Sequence, residues 1–382
     1  MTLFDVYSLY PIEPVRGEGT YVFTEEGKRY LDFYGGHAVI SIGHAHPHYV
    51  KKISDQVARI GFYSNSVENP LQQELADKLG RLSGLDDYQL FLVSSGAEAN
   101  ENALKLASFR TGRSRIIAFR GAFHGRTSAA VNATDNEAIK APINRNYPIT
   151  FLELDDLAAV REELDKGDVA AVIIEGIQGI GGIHVPEAAF LEALPELCHD
   201  NGALLILDEV QSGYGRSGKF FAFQHSEVRP DIITVAKGMG NGFPIGGVLI
   251  APELEPKSGM LGTTFGGSHL ACAAGIAVLD VIEQENLLEN TRTQGNYLME
   301  TLEASGLFTE VRGHGLMIGL QMNGPIGELR KRLLFEHHVF TGSAKDPNTI
   351  RLLPPLNVCR EECDRMIEAF QQALNPEEVS LR

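Results

Sequence analysis

Short apolar runs alternate with helical periodicities along most of the chain. The runs at 88–95, 115–120, 169–176, 203–210, 231–238 and 246–252 are continuously hydrophobic rather than alternating, and each reads as a strand. Residues 71–82, 97–110 and 187–201 repeat apolar positions every three or four residues, the spacing of one helix face, with Pro195 expected to disturb the middle of the last. Strands apolar throughout have both faces covered, so the pattern predicts an α/β fold, a mostly parallel sheet between helices. Near the N-terminus, Tyr21–Phe23 and Arg29–Phe33 flank a turn at 25–28 and predict a hairpin. After residue 270 come a long helical pattern (271–290), a strand pair or bend over 311–322 with Gly313 and Gly315, a helix over 328–338, a strand over 349–354 and a last helix over 362–374. That tail predicts a smaller α+β domain. The expected division is an N-terminal segment 1–45 packing with the small domain, a large domain 46–272 and a small C-terminal domain 273–382.

Ligands of parallel sheets bind beyond the carboxyl ends of the strands. Three predicted strands end there in one chemical set: Glu175, Asp208 followed by Gln211, and Lys237. The bland alternative is a buried ion pair, but lysine is rarely buried without a task. Pyridoxal phosphate needs a lysine amine for covalent attachment, an acid to keep its ring nitrogen protonated, a partner for its ring hydroxyl and a phosphate cradle. Lys237, Asp208, Gln211 and the turn Ser94-Ser95-Gly96-Ala97 supply one of each. That turn leaves a strand and opens a helix, so its free N–H groups and the helix dipole suit a phosphate. Phe123, in Phe123-His124-Gly125-Arg126, can stack on the ring.

Two rival motifs lose to this reading. Gly213-Tyr214-Gly215-Arg216-Ser217-Gly218 follows a strand as a dinucleotide fingerprint does. What comes next is short, aromatic and broken by Pro230, and Asp208-Glu209 put two carboxylates where a pyrophosphate approaches, so a NAD-dependent oxidoreductase remains only the different-class alternative. His44, His46 and His48 have no carboxylate or cysteine at ligand spacing, and no metal is expected.

Composition narrows the partners. Thirty-three basic against fifty acidic residues give a net charge of −17, a surface that repels nucleic acid and anionic membranes. The four cysteines form no framework, and no signal peptide or span of ~18 apolar residues is visible, so a cytoplasmic protein without membrane partners is expected.

These residues resemble the class III (ω-amino) aminotransferases of fold type I, most closely those of the acetylornithine type. The likeness is carried by GHAHP (43–47), SSGAEANENALKLA (94–107), FHGRT (123–127), LLILDEVQSGYGRSG (204–218), ITVAKG (233–238), GTTFGGSHLACAA (262–274), VRGHGLMIGL (311–320) and IRLLPPL (350–356). The resemblance implies a fold of a large domain and a smaller α+β domain, and a homodimer with shared active sites. It implies that Ser95, Gly96 and Ala97 hold the phosphate, with Phe123, His124, Glu175, Val210, Asp208, Gln211 and Lys237 around the ring and Thr264 reaching the other subunit's cofactor. It places Thr263 near the substrate, and His37, just before Ala38-Val39, is a further candidate for the substrate end. Arg126 holds the distal carboxylate, and Arg351 the α-carboxylate of glutamate. The implied reaction passes the terminal amine of an N-acylornithine, expected to be N2-acetylornithine, to 2-oxoglutarate in arginine biosynthesis, with Lys237 and Asp208 catalytic. Succinylornithine, ornithine and 4-aminobutyrate are the alternative donors.

The sequence departs from the family at two places. Where the family reads E-P-x-Q-G-E-G, this chain reads Glu175-Gly176-Ile177-Gln178-Gly179-Ile180-Gly181, and Ile180 deprives Arg351 of its usual resting partner. Arg351 is then expected to face water, find another partner or meet an extra acidic group on the donor, as on a succinylated ornithine. Ser268-His269 stands where relatives have Asn-Pro.

Overall fold

The structure, a computed structural model, describes residues 1–374. In chain order its strands are β1 (Pro14–Glu18), β2 (Tyr21–Thr24), β3 (Arg29–Asp32), β4 (Gln89–Val93), β5 (Arg115–Phe119), β6 (Ile149–Leu152), β7 (Val169–Glu175), β8 (Leu204–Asp208), β9 (Ile232–Val235), β10 (Gly246–Ile250), β11 (Glu310–His314), β12 (Met317–Gln321), β13 (Val339–Phe340), β14 (Gly342–Ser343) and β15 (Thr349–Leu352). The central sheet has seven strands in the order β4-β10-β9-β8-β7-β5-β6. Its pairings are parallel except those of β10, which runs antiparallel to both β4 and β9.

The continuous apolar runs of β7, β8 and β9 are explained by two buried faces. Ile117, Val172, Leu205 and Ile233 point into one core; their neighbours Ile116, Ile173, Ile206 and Ile232 point into another, under the helix Gly96–Thr111. The sheet is thus the predicted helix-covered, mostly parallel one. Two four-stranded sheets flank it, β1-β2-β3-β13 and β11-β12-β15-β14. In the first, the N-terminal hairpin's β3 pairs in parallel with β13.

Several expectations need correction. The strand foreseen over 231–238 stops at Val235, and Lys237 sits in a tight turn with φ 46°. The pattern over 271–290 is two helices, His269–Gln284 and Leu287–Ala304, separated by Asn286 at φ 50°. Asparagine tolerates this left-handed conformation, so the chain turns there without a glycine or proline to announce it. Pro195 does not break its helix, which runs from Ala188 to Asp200. One backbone hydrogen bond is forgone, while Leu191, Leu194, Leu197 and Cys198 keep the segment buried on one face. The helix His269–Gln284 continues across positions 272 and 273 and packs on the helices Pro47–Arg59 and Pro70–Ser83. The strand β6 and the helix Leu157–Leu164 were not foreseen. Among the described residues no helix is long and apolar enough to cross a membrane.

Candidate active site

The carboxyl ends of β7, β8 and β9 lie side by side, with Glu175 paired to Asp208 and Asp208 to Thr234 in register. Side chains alternate along a strand, so Asp208 and Glu209 point apart. Glu209 accepts hydrogen bonds from the N–H groups of Ala222 and Phe223 and from Ser212 Oγ, and serves as a structural cap. Asp208 faces the site and is buried; its Oδ2 is 2.7 Å from His124 Nδ1 and 2.7 Å from Asn100 Nδ2, and its Oδ1 accepts from the Val210 N–H at 3.0 Å. Glu175 accepts from the N–H groups of Phe123 (3.0 Å) and Gly179 (2.8 Å), which fixes the loop that carries Phe123 beside the strand ends. Burial pushes the Glu175 carboxyl up to about 7, with the neighbouring Asp208 charge adding and His124 opposing.

Lys237 projects from the turn after β9. Burial lowers its amine below the usual lysine value, Arg351 lowers it further, and the charges of Asp208 and Glu175 oppose. No hydrogen bond contributes to that balance, so the amine is unengaged, and the shift moves it toward its neutral, nucleophilic form. Arg351, on β15, is 1% exposed and crosses from the second flanking sheet into this site. Its Nε donates to the Ser343 carbonyl at 2.6 Å and a terminal nitrogen to Gln211 Oε1 at 3.0 Å. Burial pushes the guanidinium down to about 10, while Tyr34 and Glu175 oppose. Among the three fates expected for Arg351, the structure selects another partner, and that partner is a neutral amide, not a carboxylate. Gln211 Nε2 also reaches the His37 carbonyl at 3.5 Å. His37 lies in a turn where residues 35–38 all have positive φ, and its ring meets the Tyr34 hydroxyl at both nitrogens. Its imidazole is lowered first by burial, then by Arg351 and Lys237.

The helix Gly96–Thr111 begins at the end of β4. Ser95 caps it by accepting the Glu98 N–H, and Glu98 reaches back to accept the Ser94 N–H. As first-turn residues, Gly96 and Ala97 have no intrahelical acceptor for their N–H groups. A Cβ on Gly96 would come within 2.6 Å of Val210 Cγ1, so Val210 closes the turn from the side of β8. A Cβ on Gly125 would meet Ala97 at 2.8 Å, which brings the loop bearing Arg126 against the same turn. A cradle of free N–H groups, an unengaged amine, a carboxylate with an oxygen to spare and a flanking aromatic fit pyridoxal phosphate.

Not every expected residue joins this cluster. Arg126 is exposed near the helix start. Thr263 accepts from the Gly266 N–H at 3.2 Å, Thr264 is exposed, and neither is bonded to another site residue of the same chain. Asn100, Thr234 and Tyr34 belong to the site but were not foreseen. The signal for Asn100 was a polar residue on the apolar face between Ala99 and Ala103. The rival motifs resolve into scaffolding. The 213–218 segment is a run of turns followed by a short helical turn, Ala222–His225, and Arg216 within it bonds the Leu316, Pro354 and Ile40 carbonyls. His44, His46 and His48 each pair with a different carboxylate, Asp32, Glu285 and Asp280.

Residues 5–374 match the family model Aminotransferase class-III. The chain is 40% identical over 381 residues to the acetylornithine aminotransferase of Bacillus subtilis, covering 98% of this chain and 97% of that protein. It is 42% identical to the Agrobacterium fabrum acetylornithine aminotransferase, over 94% and 92% of the two chains. Among solved structures it superposes on the acetylornithine aminotransferase of Elizabethkingia anophelis with a TM-score of 0.84 and 32% identity, over 96% and 94% of the chains. For the ornithine aminotransferase of Toxoplasma gondii the TM-score is 0.90 at 28% identity, over 97% and 92%.

Proposed function

We propose, for a chain that belongs to the class III aminotransferases and is a pyridoxal-phosphate-dependent transaminase, that the amine donor is an N-acylornithine and the acceptor 2-oxoglutarate. N2-acetylornithine is the first choice, because the relatives at about 40% identity over nearly the whole chain carry that name. The observation that carries the acceptor is Arg351: a guanidinium 1% exposed with a neutral amide for company attracts a carboxylate strongly.

Lys237 carries the cofactor and Asp208 pairs with its ring nitrogen. Ser95, Gly96 and Ala97 take the phosphate, and Phe123 covers a ring face. Gln211 meets the ring hydroxyl, while His124, Glu175 and Val210 complete the walls. When bound, pyridoxal phosphate supplies an electron sink for the bond that breaks at the amine-bearing carbon. Lys237 Nζ, shifted toward its neutral form by burial, takes the proton from that carbon and returns it one position away. Arg126 grips the carboxylate distal to the reacting carbon, and Arg351 the α-carboxylate of glutamate. Thr263 and His37 border the substrate.

The working unit is a homodimer in the cytoplasm, with Thr264 reaching the other subunit's phosphate. The amphipathic helix Pro47–Arg59, which has no fully buried residue within one chain, and the exposed Phe62, Tyr63 and Phe265 support that assembly. The domain division 1–45, 46–272 and 273–382 is kept with its second boundary moved behind Gln284, where the continuous helix ends.

The test is an absorbance spectrum of the purified protein. A visible band bleached by N2-acetylornithine and restored by 2-oxoglutarate is expected. A band that acetylornithine leaves unchanged and succinylornithine bleaches would transfer the role to the succinylated donor, whose extra carboxylate would meet the Arg351 that Ile180 leaves without a carboxylate partner. Bleaching by ornithine or 4-aminobutyrate alone would move the chain to those sister activities. No band after incubation with pyridoxal phosphate would overturn the site assignment.

A further inference from the structure

We propose that Asn100, together with Thr234, is a positioning residue that decides which oxygen of Asp208 is presented to the cofactor ring; this rests on the transaminase reading above. Asn100 is 1% exposed and Thr234 0% exposed. Asn100 Nδ2 donates to Asp208 Oδ2 and to the His124 carbonyl, each at 2.7 Å, and its Oδ1 accepts from Thr234 Oγ1 at 2.7 Å. The carboxylate and the carbonyl have only lone pairs to offer, so the amide must turn its NH2 toward them. Its oxygen then faces Thr234, whose hydroxyl must be the donor.

The consequence falls on Asp208. Oδ2 receives Asn100 and His124 Nδ1, which uses that oxygen fully. Oδ1 receives only the Val210 N–H at 3.0 Å and keeps a lone pair free. That lone pair is the place for a protonated ring nitrogen. The same NH2 group spans from β8 to the His124 backbone, so the acid and the adjoining Phe123 are set relative to each other by one amide. Asn100 lies one helical turn beyond Gly96, and Thr234 three residues before Lys237. The phosphate turn, the ring acid and the lysine turn therefore meet at a single side chain.

The experiment uses the holoenzymes of Asn100→Leu, Thr234→Val and Thr234→Ser beside the wild type. Three quantities are read: cofactor dissociation constant by equilibrium dialysis, the pH dependence of the visible band, and kcat against KM. Asn100→Leu is expected to loosen the cofactor and lower kcat, each on the order of 10–100-fold as for removal of a ligand's supporting partner, with KM for the amine held within about threefold. Its visible band should titrate at a displaced pH. Thr234→Val should move all three the same way by less, and Thr234→Ser, which keeps the hydroxyl, should restore wild-type values. Thr234→Val carries the test if Asn100→Leu does not fold. Variants that melt lower yet keep the wild-type titration of the band and wild-type cofactor affinity would overturn the proposal and leave a packing role. A wild type that binds the cofactor but does not turn over acylornithines would sink the substrate assignment alone, since affinity and band titration need no substrate.

Discussion

At the scale of single residues, the roles divide by what each side chain is denied. Lys237 is half-buried and so denied part of its water. Its native amine gives up its proton below the ordinary lysine value of 10.5, so the folded state binds fewer protons than the unfolded one between those two points. Stability contributed by this group therefore rises with pH through that window. Cofactor-free Lys237→Met is expected to melt above the cofactor-free wild type at pH 7, with the gap closing toward pH 10.5; calorimetry across pH checks this, and a constant gap would contradict it. Arg351 is denied a carboxylate. Arg351→Ala is expected to damage the glutamate half-reaction by about 10- to 100-fold while sparing the acylornithine half, and Arg126→Ala to raise KM for both substrates by a similar factor. Single-turnover kinetics of each half separate the two, and equal damage to both halves from Arg351→Ala would sink the division. Lys237, Asp208 and Gln211 were legible in the sequence because titratable or amide groups at the ends of wholly apolar strands stand out. Asn100 and Thr234 were not, because an asparagine in a helix or a threonine in a strand is ordinary until its partners are known.

At the scale of elements, two turns do the positioning. The Ser95 and Glu98 cap starts the helix where its N–H groups are wanted. Ser95→Ala is expected to cost about 1 kcal/mol of stability and to weaken cofactor retention, measured by denaturant unfolding and dialysis. Gly179 is pressed by Gln211, so a Cβ there would collide with Oε1. Gly179→Ala should therefore displace Gln211 and release its hold on Arg351, raising KM for 2-oxoglutarate more than KM for the amine donor. Equal shifts would show that the turn does not act through Gln211. The six apolar strands were readable from their unbroken hydrophobicity, a property that only a sheet covered on both faces imposes. The break at Asn286 was hidden because the apolar spacing of one helix runs into the next with neither glycine nor proline between them. The turn at Lys237 was hidden for a related reason: Ala236 and Gly238 extend the strand's small, apolar pattern past its last ladder pair.

At the scale of the molecule, one chain leaves Phe265 65% exposed and Thr264 beside it unengaged. Sedimentation is expected to give twice the 41.7 kDa chain mass, and Phe265→Asp to shift the mass toward one chain and weaken cofactor binding together. Loss of one without the other would separate assembly from the site. The three-sheet architecture has a mechanical side as well. Lys237, Asp208 and the Ser95 turn are mounted on the central sheet, and the strand β10 starts so close to the latter that a Cβ on Gly246 would strike the Ser95 carbonyl at 2.7 Å. Arg351 is mounted on a different sheet. The protein is thus built like a caliper, with one jaw on the central sheet and the other carried on a separate arm, and the packing of the two sheets sets the gap between amine and guanidinium.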